Sequence, residues 1–402
     1  MIMKKLKINF SKYIFLITFI CLTSSNPAIS LNYENYDTWV DDFLIQNFKE
    51  TYNIKFIRKL IKIGKLDKKE FYKIDKIVNE IYDKDFINPE HYFNENRLQI
   101  RSKIAKKFSK TFNSELLKIE KKFGIPISII LSIWGIESDF GNAKLEFSSL
   151  KAIIFHIYNG KRKKYYKNEL VNILKIIKDN KIDDDKILGS SYGAMGQPQF
   201  MPSSYNKYGF DFNNDGKVNL WNNEGDILAS IASFLSLNGW KKNLKWGFEI
   251  IETPNTPCYV EGAKYKKTIK NWRLSGIEFA DKKGLKNLPL SIQSSLLMPK
   301  GEYGPKFLVT NNFYVLKKYN FSDFYALYVG TLANLIEGKK IFHSKWKKTT
   351  KLNYNKILKL QNLLLEKGFD IGKLDGLIGF KTRRAIGKYQ ENMNQKITCY
   401  PN

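Results

Sequence analysis

The chain has 402 residues, 43% hydrophobic, 26% charged and 14% aromatic, which excludes a disordered polymer and supplies one large core plus a small second one. Its 67 basic against 39 acidic residues give a net charge of +28, a balance that ordinarily points to an anionic partner. Lysine accounts for 60 of those 67, so the excess reads equally as compositional drift; with seven arginines, scattered apart from Arg383 and Arg384, no specific nucleic-acid reader is expected.

Residues 1–30 have the form of a secretory leader. Lys4, Lys5, Lys7 and Lys12 precede an apolar stretch from Tyr13 to Leu22, and Ala28-Ile29-Ser30 offers small residues for cleavage before Leu31. The apolar stretch is short for a membrane span; the alternative is a retained amphipathic or buried helix. Thr18-Phe19-Ile20 is a poor context for lipidation at Cys21, so no lipid anchor is expected. Removing the leader leaves a charge of +24 and two cysteines, Cys258 and Cys399. An exported chain permits them to pair, and both the paired and the reduced states stay open. The remainder has no apolar run of about 18 residues, so the mature form is expected to lack a transmembrane span.

From Tyr36 to Lys122 the apolar residues recur at helical spacing, as in Val40, Phe43 and Leu44 or Phe56, Ile57, Leu60 and Ile61. Gly124-Ile125-Pro126 then ends one helix and begins the next. Ile127–Glu137 is apolar on nearly every side and predicts a buried helix. Further helices are expected over 167–178, 226–238 and 321–337, with ordered loops over 189–225 and short strands, such as 305–309, within 245–310. The basic, polar stretch 344–353 reads as a linker. After it come an amphipathic helix over 355–367, glycines at 368, 372, 376 and 379, and another helix over 382–390. The expected organisation is thus a leader (1–30), a catalytic domain (31–343), the linker (344–353) and a small module (354–402).

Glu137 is the most informative residue. It follows Ile129 and Ile133 at four-residue spacing, at the C-terminal end of the apolar helix. Partial desolvation and the helix dipole there both oppose a negative charge and raise the carboxyl pKa, as a general acid near neutrality requires. The alternative is a capping or salt-bridging carboxylate. Asp139 is poorly placed as a second acid, since a continuing helix would point it away from Glu137. Asp183, Asp184 and Asp185 read as a solvated turn.

Ser190 to Pro202 is dense in small residues interspersed with glutamines, which suits either a groove wall that hydrogen-bonds an oligosaccharide or a tightly packed structural loop. It carries neither a phosphate-cradle pattern nor a nucleophile elbow. Asp211-Phe212-Asn213-Asn214-Asp215-Gly216-Lys217 places side-chain oxygens at the first, third and fifth positions, Gly at the sixth and a backbone carbonyl at the seventh, as a calcium loop requires. Asn222 stands where the closing Glu belongs, leaving Glu224 or Asp226 to complete the shell; the alternative is a plain turn. His91, His156 and His343 lack zinc spacing.

Together these segments resemble the soluble lytic murein transglycosylases of the membrane-bound lytic transglycosylase B type. The resemblance is carried by Ile133–Gly141, by 189–204, by the loop at 211–221 with its following Trp, and by Asn311–Tyr328 with its Tyr-Asn pair. It implies a mainly α (α+β) fold with a lysozyme-like catalytic domain and an embedded calcium loop. It also implies an exported, periplasmic, monomeric enzyme acting on peptidoglycan glycan strands of a Gram-negative cell without an organic cofactor. Glu137 would be the sole acid/base, cleaving after N-acetylmuramic acid to leave a 1,6-anhydro end. Ser190, Gln199, Tyr319, Asn320, Arg162 and Tyr166 would line the groove. Asp211, Asn213, Asp215, the Lys217 carbonyl and Asp226 would hold calcium. The C-terminal segment resembles a peptidoglycan-binding module of three helices, matched at Leu360-Gln361, Asp375-Gly376, Thr382 and Gln390. The competing expectations are a lysozyme-like hydrolase, which leaves reducing ends, and a wall-binding scaffold without turnover.

Overall fold

The computed structural model describes residues 31–80, 92–179, 182, 186–252, 256–281 and 288–401. The leader with Cys21, His91 and the Asp183–Asp185 turn lie outside the described residues. Helices dominate: α1 (Tyr33–Phe48), α2 (Ile54–Gly64), α3 (Lys68–Glu80), α4 (Glu95–Thr111), α5 (Asn113–Phe123), α6 (Ile127–Ser138), α7 (Ser149–Asn159), α8 (Lys163–Lys178), α9 (Pro202–Tyr208), α10 (Glu224–Leu237), α11 (Ile269–Leu274), α12 (Asn311–Tyr319) and α13 (Asp323–Ile336) precede α14 (Tyr354–Glu366) and α15 (Phe380–Asn392). The abundant asparagine has a local use. Asn32, Asn53, Asn94, Asn223 and Asn353 each cap a helix by accepting a backbone N–H in its first turn.

The α6 helix is buried on nearly every side, as its composition predicts, and packs among α4, α10 and α13. Within the region expected as loops, α9 was not anticipated; Pro202 at its first turn is the signal that marks it. A two-residue antiparallel pair, β1 (Phe147–Ser148) with β2 (Leu188–Gly189), sets Phe147 opposite Gly189 and so brings the segment after α6 beside Ser190.

Residues 247–309 build an antiparallel sheet of five strands, β3 (Gly247–Glu252), β4 (Lys267–Thr268), β5 (Glu278–Phe279), β6 (Gln293–Leu297) and β7 (Lys306–Val309), in the order β4-β6-β7-β3-β5. One face carries a second core of Phe248, Ile250, Trp272, Leu296 and Met298. Cys258 and Cys399 are joined in a disulfide that belongs to this core, resolving the state the sequence left open.

The C-terminal segment departs from the expected three helices. Among the described residues it has two, α14 and α15, around Leu364, Ile371, Ala385 and Ile386. Residues 396–401 run back along α15, with the N–H groups of Thr398 and Cys399 donating to Gln390 Oε1 at 2.9 and 3.0 Å. Gln361, wholly buried, clamps the Asp375-Gly376 turn by accepting both backbone N–H groups. Residues 344–353 carry no helix and lie against the larger domain: Trp346 stacks on Phe93 at 5.3 Å, and Lys300 Nζ donates to the Lys347 carbonyl at 2.6 Å.

Candidate active site

The end of α6 is unusual and its residues explain why. Asp139, Phe140 and Gly141 follow one another with φ of 50, 56 and 84°. Left-handed backbone at two non-glycine residues costs about 1–3 kcal/mol each. Burial of Phe140 offsets that cost. Its ring folds back over Gly135, where a Cβ would lie 2.5 Å from it, and packs on Trp134 and Phe108. Trp134 Nε1 donates to Gln197 Oε1 at 2.6 Å, and Gln197 Nε2 donates to the Trp221 carbonyl at 2.7 Å. The helix bearing the acid, the glutamine-rich loop and the tryptophan after the Asp-rich loop are thereby one unit.

Glu137 is partly exposed at this helix end, so a ligand can reach a carboxyl whose surroundings are protein. Burial pushes its pKa up to about 7; the Tyr325 hydroxyl, donating to Oε1 at 2.6 Å, favours the ionised form and limits the rise. Tyr319 stacks on Tyr325 at 6.3 Å and donates through its hydroxyl to the Pro198 carbonyl at 2.8 Å. Burial and the Glu137 charge hold both tyrosine hydroxyls in their neutral, donating form. Asp139 is turned to Arg101, 3.9 Å away, whose other arm donates to Tyr328 Oη at 2.8 Å. A second acid working with Glu137 is therefore not assembled from Asp139.

The second motif forms one wall. Ser190 is buried, and its Oγ accepts from the N–H groups of Tyr192 and Ala194 at 3.3 and 3.2 Å. Gln199 sits at φ 55°; its Nε2 donates to the Gly196 carbonyl at 2.8 Å, while its buried Oε1 has no hydrogen-bond partner. An acceptor left so is exceptional, since buried polar groups are ordinarily paired. Asn320 Oδ1 accepts from Ser322 N–H at 3.1 Å, steadying the start of α13 and with it Tyr325. Tyr166 and Tyr192 sandwich the His156 ring at 4.4 and 5.1 Å. Burial lowers the His156 pKa to about 4, so Nε2 of the neutral ring donates to the Ser191 carbonyl at 3.0 Å. Arg162 lies over the Tyr165 ring at 4.1 Å.

Tyr319, Asn320, Gln199 and Ser190 are thus linked to Glu137 through α13 and the motif loop, and Tyr166 joins them through the ring stack. Tyr325 and Gln197 were not singled out from the sequence. Tyr325 falls in register with the core residues of α13, and spacing alone does not reveal a hydroxyl aimed at an acid.

The Asp-rich loop is a separate construction. Asp211 accepts from Asp215 and Gly216 N–H groups, Asp215 from Lys217 N–H, and the buried Asp226 from Phe212 and Asn219 N–H at 2.9 and 2.8 Å. Among the described residues no group of three or more His, Cys, Asp and Glu converges as a metal cluster. The donor types are nonetheless the hard oxygens that calcium takes: two carboxylates and an amide oxygen on one tight loop, with the Lys217 carbonyl adjoining.

Residues 43–334 match the transglycosylase SLT domain family, and the chain belongs to that family. The membrane-bound lytic murein transglycosylase B of Escherichia coli K12 is 29% identical over 257 residues, 63% of this chain and 66% of that protein, just short of two thirds of its length. Among solved structures, SltB3 from Pseudomonas aeruginosa in complex with NAG-anhNAM-pentapeptide superposes with a TM-score of 0.81 at 27% identity, covering 91% of this chain and 97% of that one. The Escherichia coli transglycosylase Slt35 in complex with calcium shares the fold at a TM-score of 0.58 and 24% identity, covering 75% and 92%.

Proposed function

We propose that the protein is an exported lytic transglycosylase that cleaves the β-1,4 bond between N-acetylmuramic acid and N-acetylglucosamine in peptidoglycan and leaves 1,6-anhydro ends. The observation that carries this reading is the single reachable carboxyl of Glu137, with a pKa near 7 and no carboxylate partner at Asp139. A carboxyl poised at neutrality is able both to give a proton to the bridging oxygen and to take one back. Protonated Glu137 donates to that oxygen as the C1–O bond breaks. The substrate's own N-acetyl oxygen stabilises the cationic anomeric carbon in place of a second carboxylate. Ionised Glu137 then removes the proton from the 6-hydroxyl of the same muramic acid, whose oxygen closes on C1. No water is consumed, and the acid returns to its starting state.

In this reading Gln199 offers its free Oε1 to the sugar, Tyr319 and Asn320 hold the far side, and Ser190, Arg162 and Tyr166 shape the outer groove. The test is mass spectrometry of purified peptidoglycan digested with the chain lacking residues 1–30. Anhydromuramic ends are expected; reducing ends would make it a hydrolase, and bound but uncut polymer a scaffold.

Tyr325→Phe removes the one hydrogen bond that favours ionised Glu137. The Glu137 pKa should therefore rise, moving the alkaline limb of the pH–rate profile, where the required acid loses its proton, to higher pH, with turnover reduced by about tenfold. A profile unchanged from wild type would refute the role given to that hydroxyl.

Calcium, when bound, would tie the loop together by charge; Asp211, Asn213, Asp215, the Lys217 carbonyl and Asp226 would hold it. Added calcium is expected to stabilise the fold by about 2–3 kcal/mol at a hundredfold excess over Kd. Calorimetry should show that gain lost in Asp215→Ala; equal gains in both proteins would remove the site.

The module at 354–402 is read as a wall-binding unit, with a surface cavity lined by Phe369, Asp370, Arg384, Lys388 and Glu391. A periplasmic site of action fits the leader, and the lysine-rich surface suits a polymer bearing peptide carboxylates.

A further inference from the structure

Two ties bind the C-terminal module to the larger domain, and the second reaches the start of the helix that supplies the partner of Glu137. One is covalent, the disulfide from Cys399 to Cys258. The other is ionic and buried. Arg383, on α15, is 1% exposed; its Nε donates to Glu261 Oε2 at 2.9 Å and its Nη2 to both Glu261 Oε1 and Asp323 Oδ2, the latter at 2.9 Å. Nη1 donates to the Ile378 carbonyl at 3.0 Å. Lys317, on α12, donates to the other oxygen of Asp323 at 2.5 Å. Two cations and two anions from the sheet region, α12, α13 and α15 thus close a neutral cluster with almost no access to water.

Asp323 is the first residue of α13, and Tyr325 is two residues further on. Tyr319, which stacks on Tyr325, is two residues beyond Lys317 on α12. The cluster therefore grips both elements that face Glu137 from this side. The other groups near it are Tyr92, which packs on Phe324 and Tyr328 of α13, and beyond it Arg101 and Asp139. A buried ion pair is weak evidence for added stability, because desolvation consumes most of the attraction, whereas it fixes geometry well. A bidentate guanidinium does so better than an ammonium.

We infer that Arg383 is a positioning residue for the reaction: through Asp323 it sets where Tyr325 meets Glu137, so that the C-terminal module governs the acid as well as any attachment to the wall. The inference rests on the transglycosylase reading for its kinetic consequence but not for its structural one.

The test uses the full mature chain and a charge-balanced variant, Glu261→Gln with Arg383→Met, which removes one charge of each sign and leaves Lys317 to hold Asp323. Arg383→Lys is the conservative companion should that pair not fold. Carbon-13 titration of the glutamate carboxyls, with Glu137 assigned through E137Q, reads the acid without substrate. The Glu137 midpoint is expected to move upward, as in Tyr325→Phe. Turnover on peptidoglycan should fall by about three- to tenfold with KM within about a factor of two. Combining either variant with Tyr325→Phe should add nothing further, since both act through one hydroxyl. An unmoved midpoint, or fully additive losses, would overturn the inference. An inactive wild type with the midpoint shift intact would instead count against the transglycosylase reading alone.

Discussion

Glu137→Gln is expected to lose peptidoglycan cleavage by at least about 10²–10⁴-fold, the range for removing a general acid, while becoming more stable than the wild type above neutral pH. The amide keeps the shape of the side chain and still accepts from Tyr325, so folding should be intact. What it lacks is a proton to give. The stability gain follows from the pKa shift. Glu137 ionises near 7 in the folded chain against 4.5 for the ordinary group, so the folded state holds the proton over that interval while the unfolded state has lost it. Wild-type stability therefore falls as pH rises from 4.5 to 7 and is flat beyond. The variant escapes the penalty, which is about 1–3 kcal/mol for a carboxyl shifted this far and still partly reached by solvent. Thermal unfolding of both proteins at pH 4 and pH 8, beside the digest, checks the pair of effects. A variant that is inactive and also less stable at pH 8 would mean a damaged fold rather than a missing acid.

The second large effect is expected from removing the disulfide. Cys258 and Cys399 are separated by 141 positions, and closing so long a loop restricts the unfolded chain enough to contribute about 3–5 kcal/mol. Both sulfurs are buried in the second core, so Cys258→Ser with Cys399→Ser also puts two hydroxyls where no water reaches. A lower unfolding temperature is expected, with trypsin cutting first in the lysine-rich stretch 344–353. Digestion that begins elsewhere, with no change in unfolding temperature, would show that the covalent tie is redundant with the Arg383 cluster.

Much of the site was legible because its chemistry is local. Glu137 could be read from its place at the end of an apolar helix, and the motif loop from its glycines, since Gly196 and Gly189 stand where backbone from Leu220 and Ala194 leaves no space for a Cβ. The helices at 127–138, 323–336 and 354–366 followed from periodicity and chain breaks. What stayed hidden depends on contacts distant in sequence. Tyr325 meets Glu137 across 188 positions, and Arg383 meets Glu261 across 122. Neither spacing nor composition distinguishes a tyrosine that fills a core from one that hydrogen-bonds an acid. The expected third helix of the C-terminal module failed for a related reason. The last residues find partners in Cys258 and Tyr303 of the larger domain as well as in Gln390 of the module.

The ring of His156, held between two tyrosines and bonded to a carbonyl, bears on how a pH–rate curve is interpreted. A midpoint close to 7 is habitually credited to an imidazole. Here that imidazole is already uncharged well below the range in which Glu137 changes state. The groove wall therefore keeps one electrical character across the interval that matters, and a titration seen there belongs to the carboxyl.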